Sequence, residues 1–377
     1  MAVVGAGING LCTAYRLSSQ SNLKILLLEQ YDLAHSFGSS HSKIRITRAA
    51  YPDPLYVQMA QESRNVEWPQ LEKDFGEKLV LANNFLAFGH DDIYLTYRNR
   101  VQKMNLPTLT ITSGVESQKL CPALKLDQFK DVVMDTNAGI ILAEKTVSLL
   151  IQDLKLKKNV TIMQQTKVEK VIPGDNEVVL VTNKKEYKVG KVVLTIGRWA
   201  SDLIPDIKSL VHVNKQSVLY LKLKTDKGNT EIGKYYSWMG SHNGEEYYSL
   251  PSYATDWIKV AQHDNVIGKP KLTPEKQTEK VVNYIKTVLG YEIEGIQRTE
   301  ECYYTSTPNE EFIIDFLDEK KRILASSTCS GHAFKFGPLV GRILSDLIQT
   351  GTTSVQLFRD NKFRFCINYH MGVNLRP

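Results

Sequence analysis

Apolar and polar residues alternate along this chain with two different periods. The opening stretch, AVVGAGINGLCTAYRL, reads as an apolar strand, a glycine turn and a helix with apolar residues at helical spacing. KILLLEQ (24–30) then reads as a second strand, apolar on both faces. Together they form a β-α-β unit with a parallel strand pair. Helical spacing returns from about Pro52 to Leu81, carried by Tyr56, Met59, Ala60, Val66, Trp68 and Leu71. After that the texture becomes strand-like: LVLANNFLAFG (79–89), VTIMQQTKVEKVI (160–172), EVVLVTN (177–183) and KVVLTIG (191–197), then SVLYLKLK (217–224), EYYSLPS (246–252) and WIKVAQH (257–263). RILAS (322–326) predicts one more strand and LVGRILSDLIQTG (339–351) a helix, while CINYHMGVNLRP (366–377) reads as an irregular tail. No internal repeat or low-complexity stretch interrupts the pattern.

α/β segments at the start, middle and end thus bracket two β-rich insertions. The predicted class is α/β plus antiparallel β. A Rossmann-type dinucleotide-binding domain would be built from residues 1–82, 137–212 and 302–377, and a β-sheet substrate domain from 83–136 and 213–301. A length of 377 residues suits two domains better than one core. No apolar run reaches the roughly 18 residues of a membrane span. Residues 1–12 lead from Met1 directly into strand and turn, so no signal peptide is expected. That abrupt start would shorten the first strand and cost the sheet some stability.

The net charge of +6 is spread without a basic stripe. That argues against nucleic-acid binding and is compatible with an anionic cofactor or substrate. The five cysteines, Cys12, Cys121, Cys302, Cys329 and Cys366, are odd in number, widely spaced and lack a CxxC. A disulfide framework and a zinc site are both disfavoured, no metal is expected, and a reducing intracellular compartment is the natural setting.

Candidate chemistry starts at the glycine turn. Gly5, Gly7 and Gly10 spell G-x-G-x-x-G between strand and helix. The first allows the tight turn, the second lets a pyrophosphate approach the backbone, and the third lets helix pack on strand. Phosphates would sit at the helix N-terminus, where free N–H groups and the helix dipole favour negative charge. Glu29 lies 19 residues beyond Gly10, where an acid accepts hydrogen bonds from the adenosine ribose. The pattern serves NAD and FAD alike, and a tight turn without ligand remains the plain alternative. Next comes HSFGSSHSKIRITRAAY (35–51), with His41, Arg45 and Arg48. It reads either as a solvated polar loop or as a loop that meets a flavin or an anionic substrate, for which the planar arginine fork is suited.

LLLEQYDLAHSFGSSHSKIRITRAAY resembles the flavin-dependent amine oxidases of the monomeric sarcosine oxidase and L-pipecolate oxidase family, in the D-amino-acid oxidase-like superfamily. The resemblance continues in family order through IGRWASDL (196–203), YYSLPSYATDWIKVAQHD (247–264), ECYYTSTPNEEFIIDF (301–316) and SGHAFKFGPLVGRIL (330–344). ILLLEQ and GSSH place it nearer the pipecolate oxidase-like branch.

The family implies a bilobed flavoprotein that oxidises secondary amino acids. Hydride goes to flavin N5, the products are an imine and hydrogen peroxide, molecular oxygen is the second substrate, and the protein is a monomer. It implies that Arg48 and Lys335 clamp the substrate carboxylate and that Tyr248 lies over the substrate. Lys259 would assist oxygen activation, with His263 four residues on along the same strand face. His41 and Arg45 would lie close to the flavin ring. Val168, Gly197, Trp199 and Gly331 would line the cofactor site. Cys302 would anchor FAD covalently as a thioether, a reaction of its thiolate. His35 and His332 read as structural. Without the resemblance, Lys335 reads as a surface lysine, Lys259 could alternate towards solvent, and Cys302 could be a buried cysteine beside dissociable FAD.

The chain also departs from the family pattern. ASSTC (325–329) replaces a glycine-rich run with Ser326 and Ser327, GSSHS replaces GSSHG, and Ile196 and Arg198 stand where smaller or apolar residues are usual. The C-terminus ends in LRP instead of an SKL-type signal, which leaves a cytoplasmic or peroxisomal location open. Two other functions fit the same glycine motif: an NAD-dependent dehydrogenase, and a flavin-binding relative without catalysis.

Overall fold

The computed structural model describes residues 1–225, 228–264 and 272–374. The LRP tripeptide lies outside the described residues.

A six-stranded sheet is ordered Ile313–Phe316, Ile323–Ser327, Val192–Leu194, Ala2–Val4, Ile25–Leu28, Val160–Met163. All its pairs are parallel except the first, at one edge. Its central strands are apolar on both faces because helices cover one face and Val168, Val178, Leu180 and the segment Ala200 to Leu210 cover the other. Helices Ile8–Ser18 and Gly337–Thr350 cross closely on one side. Two glycines permit this: a Cβ on Gly341 would lie 2.6 Å from Cys12 Cβ, and one on Gly337 would lie 2.5 Å from Ile8 Cγ1. Cys12 is therefore buried packing at the helix crossing, not a reactive thiol.

An eight-stranded sheet is ordered Ile293–Ser306, His212–Leu223, Ile258–Gln262, Glu245–Leu250, Ser237–His242, Phe85–Gly89, Asp131–Asp135, Leu109–Ser113. Its pairs are antiparallel apart from Ser237–His242 with Phe85–Gly89. One face packs against helix Pro274–Asn283 and Tyr284, burying Leu219, Leu221, Tyr247, Ile258 and Val260. Alternation sends Tyr220, Tyr248, Lys259, Glu300, Cys302 and Tyr304 to the opposite face. The long strand Ile293–Ser306 runs through position 301/302, where the sequence suggested a division.

The structure corrects several segment boundaries. Residues 79–89 hold two strands, Val80–Ala82 and Phe85–Gly89, in different sheets. Residues 160–172 split likewise between the parallel sheet and a three-stranded antiparallel sheet that begins at Val168. Residues 367–374 of the expected irregular tail are a helix, Ile367–Asn374. Its first N–H, of Ile367, donates to Asp315 Oδ2 at 3.0 Å, and the helix packs beside strand Ile313–Phe316. Between Pro54 and Phe75 the helix is continuous but passes through a π-helical turn, Ser63–Glu67. Asp53 caps its start through Leu55 N at 2.8 Å, and Gly76, at φ 65°, ends it.

Candidate active site

One cavity of about 1110 Å³ runs between the two large sheets. Among the described residues it is lined by the glycine turn at one end and by Arg48 and Lys335 at the other.

At the glycine end, Gly5 has φ 99°, and a Cβ there would lie 2.5 Å from Thr195 O. A Cβ on Gly10 would lie 1.9 Å from Gly5 O, so only glycine lets the helix start against the strand. Gly7 caps helix Ile8–Ser18 without a side-chain hydrogen bond, and no acid occupies the first turn. The positive end of the helix dipole therefore faces the cavity with no acid against it in the helix, only the Ser40 hydroxyl, which accepts from Ile8 N at 3.0 Å. Glu29 is buried just beyond strand Ile25–Leu28; its carboxylate accepts from Ala6 N at 2.8 Å and Tyr31 N at 3.0 Å, with His35 at 3.3 Å. Burial alone would raise its pKa, but these donors hold it below the ordinary value. Asn9 Nδ2 donates to Thr328 Oγ1 at 2.6 Å, while its buried Oδ1 lacks a partner among the described residues. A helix N-terminus facing the cavity, a glycine cradle and a fixed carboxylate fit the pyrophosphate and ribose of FAD.

At the other end, Arg48 follows strand Ile44–Thr47. Its guanidinium lies 4.3 Å from the Tyr51 ring centre and 5.0 Å from that of Phe85, and it donates to Ala50 O and Met239 Sδ. The buried Asp135 holds this turn by accepting from Ala49 N at 2.6 Å and Ala50 N at 3.0 Å. Lys335 is 4% exposed, and its Nζ donates to Tyr51 OH at 2.8 Å and His332 O at 2.6 Å. Its own carbonyl accepts from Ser63 Oγ at 2.5 Å and Trp68 Nε1 at 2.8 Å. The π-helical turn thus serves to seat this lysine. Burial and the neighbouring Arg48 push Lys335 well below the ordinary lysine pKa, towards the neutral amine.

Along the middle, Lys259 is 5% exposed in strand Ile258–Gln262. Burial, then Arg45, lowers its pKa to about 7 against partial opposition from Glu300 and Cys302. His263 stands one residue past the strand end, its ring 5.4 Å from that of Tyr304. Tyr248 faces the cavity, with burial raising its phenol to about 12, whereas Tyr247 stacks on Tyr284 behind the sheet, ring centres 4.1 Å apart. Arg45 donates to Ile44 O, Ser39 O and His41 O, fastening the polar loop. Cys302 is a free, half-buried thiol on the cavity wall.

Every site residue named from the sequence lines this cavity except Gly10, which shapes it from behind. Val168 and Trp199 stand near the glycine end, and Gly197 has φ 55°. Gly331 has φ 74°; a Cβ there would strike the Tyr304 ring at 2.8 Å. Arg198 lies between the rings of Trp199 and Tyr303, at 4.5 and 4.1 Å from their centres. Ser326 and Ser327 are buried. His35 supports Glu29, and His332 is packed on Phe312 with ring centres 4.9 Å apart.

Sequence reasoning missed Tyr51, Ser42, Tyr220, Glu300 and Asp135. Tyr51 follows Arg48 by three residues in RAAY, and Ser42 is the departure from GSSHG, so both left a local trace. The other three are brought in by strand pairing alone. No group of acids, histidines and cysteines suited to a metal occurs among the described residues.

The sequence pattern of the family described as "FAD dependent oxidoreductase" matches residues 1–347. The peroxisomal sarcosine oxidase of Mus musculus is 29% identical, covering 98% of this chain and 97% of that protein. The monomeric sarcosine oxidase of Bacillus sp. (strain B-0618) is 26% identical over 96% and 95%. N-methyl-L-tryptophan oxidase of Yersinia pestis is 25% identical over 97% and 99%. Among solved structures, L-proline dehydrogenase from P. horikoshii superposes with a TM-score of 0.79 at 18% identity, covering 98% of this chain and 97% of that one. NikD, an amino acid oxidase of nikkomycin biosynthesis, gives 0.78 at 18%, covering 95% of each. At these identities the superpositions speak for the fold.

Proposed function

The chain belongs to the family of FAD-dependent oxidoreductases, and within it we propose an oxidase of secondary amino acids, of the sarcosine or L-pipecolate type. One observation carries the choice of substrate. Arg45, Arg48, Lys259 and Lys335 all line the cavity, and none has a carboxylate ion-pair partner among the described residues. Two guanidiniums and two lysines that burial has made easy to neutralise thus converge on one cavity, and an anion that enters it gains counter-charges from them.

In this reading Gly5, Gly7 and the N-terminus of helix Ile8–Ser18 hold the pyrophosphate of FAD, and Glu29 the ribose. His41, Arg45, Val168, Gly197, Trp199 and Gly331 enclose the rest, with Cys302 as its covalent anchor. When bound, FAD supplies the two-electron acceptor that oxidises the C–H bond next to the amine nitrogen, and oxygen recycles it with release of peroxide. Arg48 offers two parallel donors to the substrate carboxylate. Lys335, near-neutral in the free site, takes up a proton as the carboxylate arrives and becomes its second counter-charge. Tyr248 and His263 cover the amine end. Lys259 holds positive charge where reduction of oxygen develops negative charge.

A panel of secondary amino acids scored by peroxide release tests the proposal. Release from N-methyl or cyclic amino acids supports it; release only from amines lacking a carboxylate overturns the role of Arg48 and Lys335. Acid denaturation tests the anchor separately. Flavin that stays with the protein, and that Cys302→Ser releases, supports it; flavin that washes free from the wild type refutes it.

A further inference from the structure

Lys259 is tied to a set of residues for which the proposed reaction gives no reason. Its Nζ donates to Ser42 Oγ at 2.8 Å. Ser42 Oγ lies 3.2 Å from Tyr220 OH, and Tyr220 OH donates to Glu300 Oε2 at 2.7 Å. Tyr220 has one hydrogen and the carboxylate takes it, so its oxygen accepts from Ser42. The oxygen of Ser42 in turn accepts from Lys259. The other carboxylate oxygen, Oε1, lies 2.9 Å from His41 Nε2.

Two further facts show that this chain is built. Ser42 has φ 86°, a left-handed conformation that is uncommon for a residue with a side chain and costs it strain. A glycine would hold that turn without strain, yet the serine hydroxyl is what meets Lys259. The buried Nδ1 of His41 has no partner among the described residues, so its ring is oriented by Glu300 and the Glu301 carbonyl, 3.0 Å away.

We propose that Ser42, Tyr220 and Glu300 are positioning residues that hold Lys259 in place and in its charged form inside the cavity. The groups facing Lys259 make Glu300 decisive. Arg45 comes from strand Ile44–Thr47, His41 from the polar loop, Tyr220 from His212–Leu223, Tyr248 from Glu245–Leu250, and Cys302 and Glu300 from Ile293–Ser306. Glu300 is the carboxylate among them. Burial would raise its pKa, yet His41, Lys259 and Tyr220 bring it down to about 2, so it remains ionised across the working range. Without it, burial and Arg45 would drive Lys259 further towards the neutral amine. The purpose assigned to that charge, assisting oxygen, rests on the oxidase reading; the charge itself does not.

The test follows the Lys259 ammonium by ¹⁵N NMR of lysine-labelled, FAD-loaded protein, with the signal assigned by its loss in Lys259→Met. Glu300→Gln should lower the titration midpoint by about one pH unit, the scale of an opposite charge at close range. Ser42→Gly should lower the midpoint in the same direction while raising the thermal midpoint of unfolding, because it releases the strained turn. The pH profile for reoxidation by oxygen should move down with the lysine, giving about a tenfold loss at pH 8 that acid recovers. A purely structural role would instead lower the rate equally at every pH. An unchanged Lys259 midpoint in either variant overturns the proposal. If reoxidation proves not to use oxygen, the oxidase reading fails, but the NMR midpoint still decides the role of Glu300.

Discussion

Replacing Lys259 by methionine should stabilise the flavin-free protein, and the size of the effect should depend on pH. Lys259 is buried on a sheet face without an ion-pair partner, and its pKa falls from 10.5 to about 7. In the unfolded chain it regains the ordinary value. Between about pH 7 and 10.5 the unfolded state therefore binds one more proton than the folded state. Stability must rise with pH in that window, by up to about 1.4 kcal/mol per unit from this residue. Below about pH 7 both states carry the proton and the full penalty remains. At neutral pH the penalty is a few kcal/mol, a large fraction of the roughly 5–15 kcal/mol by which a protein is stable. Methionine matches the length of the lysine stem and carries no charge, so it removes the penalty without opening a cavity. Urea unfolding of wild type and Lys259→Met from pH 6.5 to 10 measures the difference. The variant should be more stable at pH 6.5, and the two curves should converge as the pH rises. Parallel curves would show that Lys259 keeps its ordinary pKa in the fold, and the account of the cavity as a desolvated cationic site would be wrong.

Gly10→Ala places a methyl 1.9 Å from Gly5 O, a backbone atom that cannot turn aside. Overpacking of this kind costs about 1–3 kcal/mol, and here the strain falls on the phosphate turn, so FAD affinity should drop about tenfold or more; fluorescence titration with FAD in the Cys302→Ser background, where the cofactor is dissociable, reads it. Arg48→Lys keeps the charge but loses the two-pronged fork, and the loss of one charged hydrogen bond, about 1.5–3 kcal/mol, should raise KM by about 10- to 150-fold. An unchanged KM would remove Arg48 from the clamp.

The parts of the fold set by local chemistry were legible in the sequence. The turn at Gly5, Gly7 and Gly10 follows from backbone geometry, and the apolar strands on either side follow from burial on both faces. The helix Asp92–Lys103 was not legible, because only Tyr94 and Val101 are buried and its apolar period is faint. Strand Ile293–Ser306 was hidden by the charged run RTEE (298–301), which interrupts the apolar alternation expected of a strand. Glu300 belongs to that strand. Its place beside Lys259 depends on how Ile293–Ser306 pairs with His212–Leu223, where Gln216 stands opposite Cys302 and Leu219 opposite both Val260 and Thr299. Register of that kind is fixed by two segments far apart in the chain, so neither segment announces it. Asp135 was hidden for the same reason: its role is to hold the backbone at Ala49 and Ala50 from another sheet.

The central claim, a flavin poised over an amino acid held by Arg48 and Lys335, is tested most directly by anaerobic mixing of the purified protein with secondary amino acids under a spectrophotometer. The account predicts that the yellow flavin bands bleach with one of them and return on admitting air. A flavin spectrum that no amino acid bleaches would contradict it.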